Sequence, residues 1–259
     1  RERFAVSATQ RMAAKQAAGF WRSCGATLRN RSMLVLMTLV LLNLVASIFT
    51  SGLDYYLLVY YVCAGDVFEG STWKALLSSA FAVIGVLSVG VLGWLSRRVD
   101  KRNTLVIVHV MVAIGGIGKW FFFREGLPWL CLLVPLLCGP IFIANDMIVR
   151  SMIAGICDQD ELETGVRREG MFGAMHGWVG KTAAAVAVFG AGVALNAVGF
   201  DAALGPAQDP EALLRIRYIL VAATTVPALI AIVVLRYYPL DEAKMAVIRS
   251  ALERRRGAV

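Results

Sequence analysis

Six long apolar stretches constrain this chain more than any other feature of its sequence. A helix needs about 20 residues to cross a lipid bilayer, and each stretch is that long. The stretch from Ala75 to Ser96 carries no charged residue. Hydrophobic residues make up 58% of the 259 residues, well above the share in a soluble domain. The sequence therefore predicts an all-α membrane protein with spans near 33–61, 74–96, 104–123, 127–156, 171–199 and 213–237.

The Lys and Arg residues outside these spans concentrate on one side of the membrane. Residues 1–32 carry seven, the connection after the second span four, the connection after the fourth two and the tail from Arg236 six. The alternate connections carry only Arg124. Positively charged connections face the cytoplasm, so both ends of the chain are predicted to be cytoplasmic. The formal net charge of +8 is therefore explained by the cations of the cytoplasmic connections, and it does not indicate nucleic-acid binding.

The organisation predicted from this pattern has three parts. Residues 1–32 form a cytoplasmic mid-protein loop, 33–237 form a six-helix transmembrane bundle and 238–259 form a cytoplasmic tail. In the tail, Met245, Ile248 and Leu252 recur at helical spacing among cations. The tail is therefore either an interfacial helix held by its apolar stripe and by anionic lipid, or a solvated segment. The chain begins with Arg1, so we expect it to be a fragment of a longer protein.

Charged residues near the middle of the bilayer are the candidate functional residues, because each costs at least ~2.5 kcal/mol there. Asp146 and Arg150 lie four residues apart on one helix face, and the acid precedes the base, which favours a pair. Lys181 in the fifth span falls at the same predicted depth as Asp146, about 16 Å from the inner end. We expect Lys181 to face a polar cavity, with Asp146 as one candidate partner. A pair that only fixes packing is the alternative for Asp146 and Arg150.

Other polar residues in the spans are less informative. His176 is either a packing residue or a cavity residue. Lys119 is expected to extend its amine to the outer interface, and the roles of His109 and Asp54 stay open. A stripe of small residues around Gly177 in the fifth span permits close helix approach.

The sequence does not predict an enzyme. The five cysteines lie singly, without the spacing of a metal site or a disulfide framework. Ser and His residues do not form a nucleophile pattern, so we expect neither a catalytic site, nor a bound metal, nor a cofactor. An acid–base set at mid-membrane in a bundle interrupted by Gly and Pro is instead typical of a transporter.

Four segments of the chain resemble one known family. The connection "SMIAGICDQDELETGVRREG" (151–170), followed by Lys181, is the most specific of them. "GWLSRRVDKR" (93–102), "QDPEALLRIRYIL" (208–220) and "YYPLDEAK" (237–244) are weaker matches. Together they resemble the C-terminal six-helix half of the glycoside–pentoside–hexuronide:cation symporters, which belong to the major facilitator superfamily and include melibiose permease.

The resemblance implies roles for individual residues. Lys181 falls where the family has a functional lysine, which places Lys181, Asp146, His176 and Arg150 in a substrate site between two halves of the transporter. Asp158, Arg167 and Glu169 match a cytoplasmic charge network that contacts the other half. Two positions depart from the family pattern. Asp146 replaces an aromatic residue that lines the sugar site, which argues against a melibiose-like sugar, and Gly155 replaces a common acid.

The predicted function is therefore secondary active transport of a sugar, glycoside or other small polar solute by alternating access. The expected partners are the solute, a coupling cation, the lipid bilayer and the missing N-terminal half. That half is expected to hold most of the site for the cation, sodium or proton. The expected location is the bacterial cytoplasmic membrane. The alternatives are a lysolipid or amphiphile carrier, and a non-transporting membrane scaffold or sensor on the same fold.

Overall fold

A computed structural model describes Gly25 and residues 30–257 of the chain, and every regular element in that part is helical. Six helices are long and apolar enough to cross a membrane, which confirms the predicted fold class. They are α1 (Arg31–Val62), α2 (Val67–Val99), α3 (Lys101–Phe122), α4 (Pro128–Thr164), α5 (Glu169–Ala197) and α6 (Pro210–Arg236), and a seventh helix, α7 (Glu242–Arg256), follows them. The predicted loop over 1–32 lies almost entirely outside the described residues.

Helix α1 is the centre of the bundle. It packs along both α5 and α6, while α3 packs along α6 and α4 fills the space beside α2 and α3. Leu36, Leu39, Leu53 and Leu57 of α1 are fully buried in this contact. Helices α2 and α5 are the least buried spans. Exposed apolar side chains on these two helices are compatible with a surface that faces lipid or another protein segment.

Close helix approach inside the bundle depends on two adjacent glycines of α3. A Cβ atom on Gly115 would lie 2.6 Å from the Cys138 sulfur of α4, and one on Gly116 would lie 2.4 Å from the Thr225 hydroxyl of α6. Both distances are far shorter than van der Waals contact. The two glycines therefore let α3 sit between α4 and α6, as small residues do in membrane helix pairs.

The turn between α2 and α3 is a single residue, Asp100. Its φ angle is 73° and its ψ angle is 166°, a backbone conformation that is strained for any residue other than glycine. The side chain accepts hydrogen bonds from the backbone N–H of Asn103 at 2.8 Å and from the Asn103 amide at 3.3 Å. Asp100 thus caps α3 and reverses the chain at once.

Helix α4 extends well beyond the apolar stretch that was predicted to end near residue 156. It continues through the acid-rich segment to Thr164 and ends at Gly165, whose φ is 73°. The connection between α4 and α5 is therefore residues 165–168 alone. Sequence hydropathy marks the part of a helix that suits the bilayer core, and it does not mark where the helix ends.

The tail helix α7 packs on α4. Ile248 and Leu252 are buried, and a Cβ atom on Gly155 of α4 would lie 2.9 Å from the Met245 Cε atom. The apolar stripe of the tail is thus used in contact with the protein, and Gly155 makes room for it. Whether α7 also lies at the membrane interface stays a prediction.

Candidate functional site: a polar face and an internal charge pair

The first candidate site is a polar face on α4 and α5, made of Asp146, Arg150, His176 and Lys181. Asp146 lies in a widened π-helical turn of α4, Ala144–Val149, a type of irregularity that is frequent at functional sites. The Arg150 Nε donates to Asp146 Oδ1 at 2.5 Å, as the four-residue spacing predicted. The two side chains are 65% and 67% exposed among the described residues, so the pair faces outwards from the bundle.

Lys181 also faces outwards, and among the described residues no carboxylate lies within ion-pair distance of it. The structure does not form the pair between Asp146 and Lys181 that their equal depth suggested, because Asp146 is paired along its own helix with Arg150. His176 is half-buried on α5, near the Asp146–Arg150 pair. Its role, like the assignment of the whole set to substrate binding, stays a prediction.

The small-residue stripe of α5 is open over much of its length. A Cβ atom on Gly173 or Gly177 would meet no atom within 4 Å, and one on Gly180 would touch only Leu44 of α1, at 3.7 Å. Later in the stripe, Ala184 is half-buried and Ala187 is buried. The glycines near Lys181 therefore leave a surface of α5 without side chains on the outside of the bundle.

The second candidate site is a buried ion pair between α1 and α3. The Lys119 Nζ donates to Asp54 Oδ1 at 3.1 Å and to Oδ2 at 3.4 Å, and the two side chains are 3% and 5% exposed. The expectation that Lys119 reaches the outer interface is wrong. A carboxylate at hydrogen-bond distance gives the amine a partner inside the bundle, so it has no need to reach water.

A third lysine lies beside this pair. Lys74 of α2 lines the same cavity as Asp54 and Lys119, and its Nζ donates to the Ser51 carbonyl oxygen at 2.9 Å. The cavity has a volume of about 250 Å³ and lies between α1, α2, α3, α4 and α6. We call it the Asp54 cavity. The sequence analysis assigned no role to Lys74.

A chain of hydrogen bonds runs from His109 in the interior of the bundle to Asn145 of α4. His109 of α3 is fully buried, and its Nδ1 lies 2.6 Å from the Leu105 carbonyl oxygen. Nε2 lies 3.0 Å from the Asn43 amide oxygen of α1, and the Asn43 amide nitrogen donates to the Asn145 amide oxygen of α4 at 3.3 Å. Asn145 is next to Asp146 in the chain. The histidine whose role was left open is thus a hydrogen-bonded interior residue.

Arg167 is the centre of the charged connection between α4 and α5. Its guanidinium lies 2.9 Å from Glu169, 3.1 Å from Glu161 and 3.5 Å from Asp158. The hydrogen bonds that Arg167 donates to Glu169 and Glu161 raise its pKa above the usual value for arginine. The three residues predicted to form a charge network are therefore brought together. The structure joins them within this half, and contact with another half stays a prediction.

The neighbouring Arg168 makes a less exposed pair. Its Nε donates to Asp160 Oδ2 at 2.8 Å, a second nitrogen bonds the other carboxylate oxygen, and Asp160 is buried. These hydrogen bonds raise the pKa of Arg168. A bidentate arginine–carboxylate pair is among the stronger ionic contacts, so it fixes the end of α4 against the start of α5.

Sequence reasoning missed Asp160, Arg168, Lys74 and the Asp54–Lys119 pair. The sequence did contain evidence for the Asp54–Lys119 pair. Asp54 and Lys119 both lie in the last third of spans that run to the same end of the bundle, so the depth argument applied to Lys181 would have paired them. No sequence signal predicted the position of Lys74.

Two comparisons with known proteins place these features in context. Residues 1–242 match a family described as MFS/sugar transport protein, a family of transport proteins and not of enzymes. The chain is also 27% identical, over 230 residues and 87% of its length, to an uncharacterized symporter of Synechocystis sp.. The match covers 41% of that relative, so the chain spans less than half of its length.

Proposed function

Because the chain belongs to the MFS/sugar transport protein family, we propose that it forms one six-helix half of a secondary active transporter. The transported solute is a sugar, a glycoside or another small polar molecule, and a cation accompanies it. The match of the 151–170 connection and Lys181 to the glycoside–pentoside–hexuronide:cation symporters supports this finer assignment. A relative whose name contains the word symporter also supports cation coupling.

The observation that carries the proposal is the exposure of charge on the polar face. Asp146, Arg150 and Lys181 sit in the middle part of long apolar helices, yet all three face outwards from the half-bundle. Lipid does not tolerate such groups, so this face needs a water-filled cavity or a second protein segment against it. A second six-helix half on this face encloses a polar site at mid-membrane, where transporters bind their solutes.

In this arrangement the residues of the polar face have separate roles. Lys181 supplies a charged donor to the solute or to a group of the opposite half. Asp146 accepts hydrogen bonds from solute hydroxyls while Arg150 keeps it ionised and oriented. His176 lines the same space. The coupling cation binds mainly in the opposite half, and rocking of the two halves exposes the site to each side of the membrane in turn.

The test is uptake by the full-length protein carrying Lys181→Met. Purified protein in proteoliposomes is supplied with labelled sugars, glycosides and lysophosphatidylcholine under a sodium gradient or a proton gradient. We expect Lys181→Met to abolish accumulation, because the site then loses the positively charged amine of Lys181. The matched control is Lys244→Met, which removes an exposed lysine of the tail helix, and its uptake is expected to equal that of the wild type.

Thermal stability in detergent separates binding from structure. We expect Lys181→Met to melt near the wild-type temperature, because no described carboxylate is left without its partner. Wild-type uptake by Lys181→Met refutes the site assignment. Uptake of lysophosphatidylcholine alone identifies the amphiphile carrier, and wild-type protein without uptake of any solute identifies a scaffold or sensor.

A further inference from the structure

A second cavity lies at the end of the bundle where the tail meets α3 and α4. It has a volume of about 210 Å³ and shares no lining residue with the Asp54 cavity. We call it the tail pocket. Its charged lining residues come from the start of α3, the turn before it and the tail: the cations Lys101, Arg102 and Arg249 and the acids Asp100, Asp241 and Glu242.

Two of the three acids are used to cap helices. Asp100 accepts hydrogen bonds from the backbone N–H and the side-chain amide of Asn103, at 2.8 and 3.3 Å. Asp241 accepts one from the backbone N–H of Lys244 at 2.8 Å, and the Lys244 amine lies 4.0 Å from its other oxygen. Glu242 is exposed and forms no ion pair with a described residue. The acids therefore do not neutralise the cations of the pocket by direct contact.

The three cations have no charged partner in the part of the chain that the structure describes. The Lys101 Nζ donates to the Ser151 hydroxyl at 2.6 Å, and the Arg102 guanidinium donates to the Arg236 carbonyl oxygen at 3.2 Å. No described carboxylate lies within ion-pair distance of these two residues or of Arg249. Three cationic side chains thus line one small cavity, and an anion placed among them relieves their mutual repulsion.

The position of the tail pocket indicates the depth of the lipid headgroups. Trp94 near the end of α2 and Tyr237 after α6 lie at the same end of the bundle and are 53% and 59% exposed. Aromatic residues of this kind collect at the membrane–water interface. Buried Met152 and Leu240 also line the cavity, so it combines cations with an apolar wall. Basic pockets between membrane helices at this depth suit phosphate-bearing headgroups.

We propose that the tail pocket binds an anionic phosphate group, held by Lys101, Arg102 and Arg249. Ammonium and guanidinium groups donate short, charge-assisted hydrogen bonds to phosphate oxygens, and a guanidinium donates two at once. The volume suits one phosphate group and is small for a drug-sized molecule. The phosphate comes either from the water phase or from the headgroup of an anionic phospholipid, since both present the same oxygens.

A phosphate in this place joins two parts of the chain. Lys101 and Arg102 belong to α3, whereas Arg249 belongs to α7. A ligand that contacts both helices therefore stabilises the packing of the tail on the bundle. The proposed site is separate from the polar face, so it adds a second ligand to the one that the transport function requires.

The experiment measures two probes on the purified, delipidated full-length protein in phosphate-free buffer. Inorganic phosphate is titrated while the melting temperature is followed, with sodium chloride of equal ionic strength as the reference. Native mass spectrometry counts molecules of phosphatidylglycerol bound from mixed micelles, with phosphatidylcholine as the reference without net charge. We expect a rise in melting temperature with phosphate, a preference for phosphatidylglycerol, or both.

Variants assign the binding to the tail pocket. Arg249→Gln and Lys101→Gln are each expected to weaken it about tenfold, because each removes a charge-assisted hydrogen bond. Arg249→Lys keeps the charge and is expected to retain most of the affinity. The matched control is Arg254→Gln, which removes a cation of α7 that does not line the pocket and is expected to change nothing. Arg249 is exposed, so Arg249→Gln is expected to fold as the wild type does.

Three results overturn the proposal. The first is a wild type that responds to neither probe beyond its reference. The second is an affinity that stays unchanged in Arg249→Gln or in Lys101→Gln. The third is an equal loss in Arg254→Gln, which identifies a diffuse basic surface.

The two probes also separate the sources of the phosphate. Stabilisation by inorganic phosphate without a lipid preference assigns the site to free phosphate. A preference for phosphatidylglycerol without that stabilisation assigns it to a headgroup. Neither readout involves solute uptake, so the outcome is independent of the result for Lys181→Met.

Discussion

Replacing Asp54 with Asn is expected to destabilise the protein more than any other single change to its described ion pairs. The substitution keeps the size of the side chain and removes its charge. Lys119 then remains inside the bundle without a counter-charge, at a position where its side chain is 3% exposed. Lys74 lines the same cavity, so the variant leaves two cations facing one enclosed space. Breaking a buried pair costs about 3–5 kcal/mol, and the second lysine places Asp54→Asn near the upper value.

The partner substitution has a smaller expected cost. Lys119→Met leaves Asp54 unpaired, but Lys74 lines the same cavity and supplies a positive charge. We therefore expect Lys119→Met to cost less than Asp54→Asn. The double variant removes both buried charges and is expected to be more stable than Asp54→Asn alone, because neither group is then left without its partner. This asymmetry is specific to a cavity with two lysines and one aspartate.

The assay is equilibrium unfolding of the purified full-length protein in mixed micelles of a mild detergent and sodium dodecyl sulfate. Glu211→Gln is the matched control, since it neutralises the acid of an exposed pair. Glu211 and Arg215 are 74% and 56% exposed and lie 2.8 Å apart on α6. That pair is worth at most about 1 kcal/mol. An Asp54→Asn variant that loses no more stability than Glu211→Gln refutes the reasoning, as does a double variant less stable than Asp54→Asn.

Two further predictions concern the charged connection and the topology. Arg167→Glu removes three partly exposed pairs, worth ~0.5 kcal/mol each; because these pairs are proposed to stabilise the barrier state of the conformational cycle, we expect a roughly tenfold slower solute exchange. Solute affinity, measured by calorimetry, is expected to stay within twofold; a change confined to affinity contradicts the assignment of Arg167 to the conformational cycle. In a cysteine-free background, single cysteines at Glu69 and Glu125 are expected to react with an impermeant reagent outside intact cells and one at Glu163 is not. All three positions are exposed in the structure, so labelling at Glu163 rejects the predicted orientation.

Hydropathy predicted the fold because a membrane imposes it. A bilayer accepts only segments whose backbone groups are satisfied internally, so an apolar stretch of about 20 residues leaves few choices besides a helix. The same criterion fails at the end of α4. There the helix continues from residue 157 to Thr164 through acidic residues outside the apolar stretch, and Gly165 ends it. The end of α4 is set by the backbone conformation of Gly165, and hydropathy does not predict it.

Contacts between spans were harder to predict than the spans themselves. The Asp146–Arg150 pair lies within one helix, so residue spacing alone was sufficient. The Asp54–Lys119 pair joins α1 to α3, and Lys74 approaches from α2. Such contacts depend on which helices are neighbours and how each is rotated. The neighbours and the rotation of each helix depend on close contacts such as that of Gly116 with α6. The pattern of apolar residues in the sequence does not predict such contacts.

Some charged side chains of the bundle are paired with a carboxylate and others are not, and the two groups lie in different places. Inside, Asp54 neutralises Lys119, and at the end of α4 Asp160 neutralises Arg168. Such pairs are tolerated because each charge has its partner, and they add little net stability. Lys74 and Lys181 have no carboxylate partner among the residues that the structure describes. Lys181 is exposed, so a segment or a solute that covers α5 can supply the partner that it lacks. In the proposed transporter, we expect these two lysines to contribute to solute selectivity, because an unpaired cation favours a group of opposite charge.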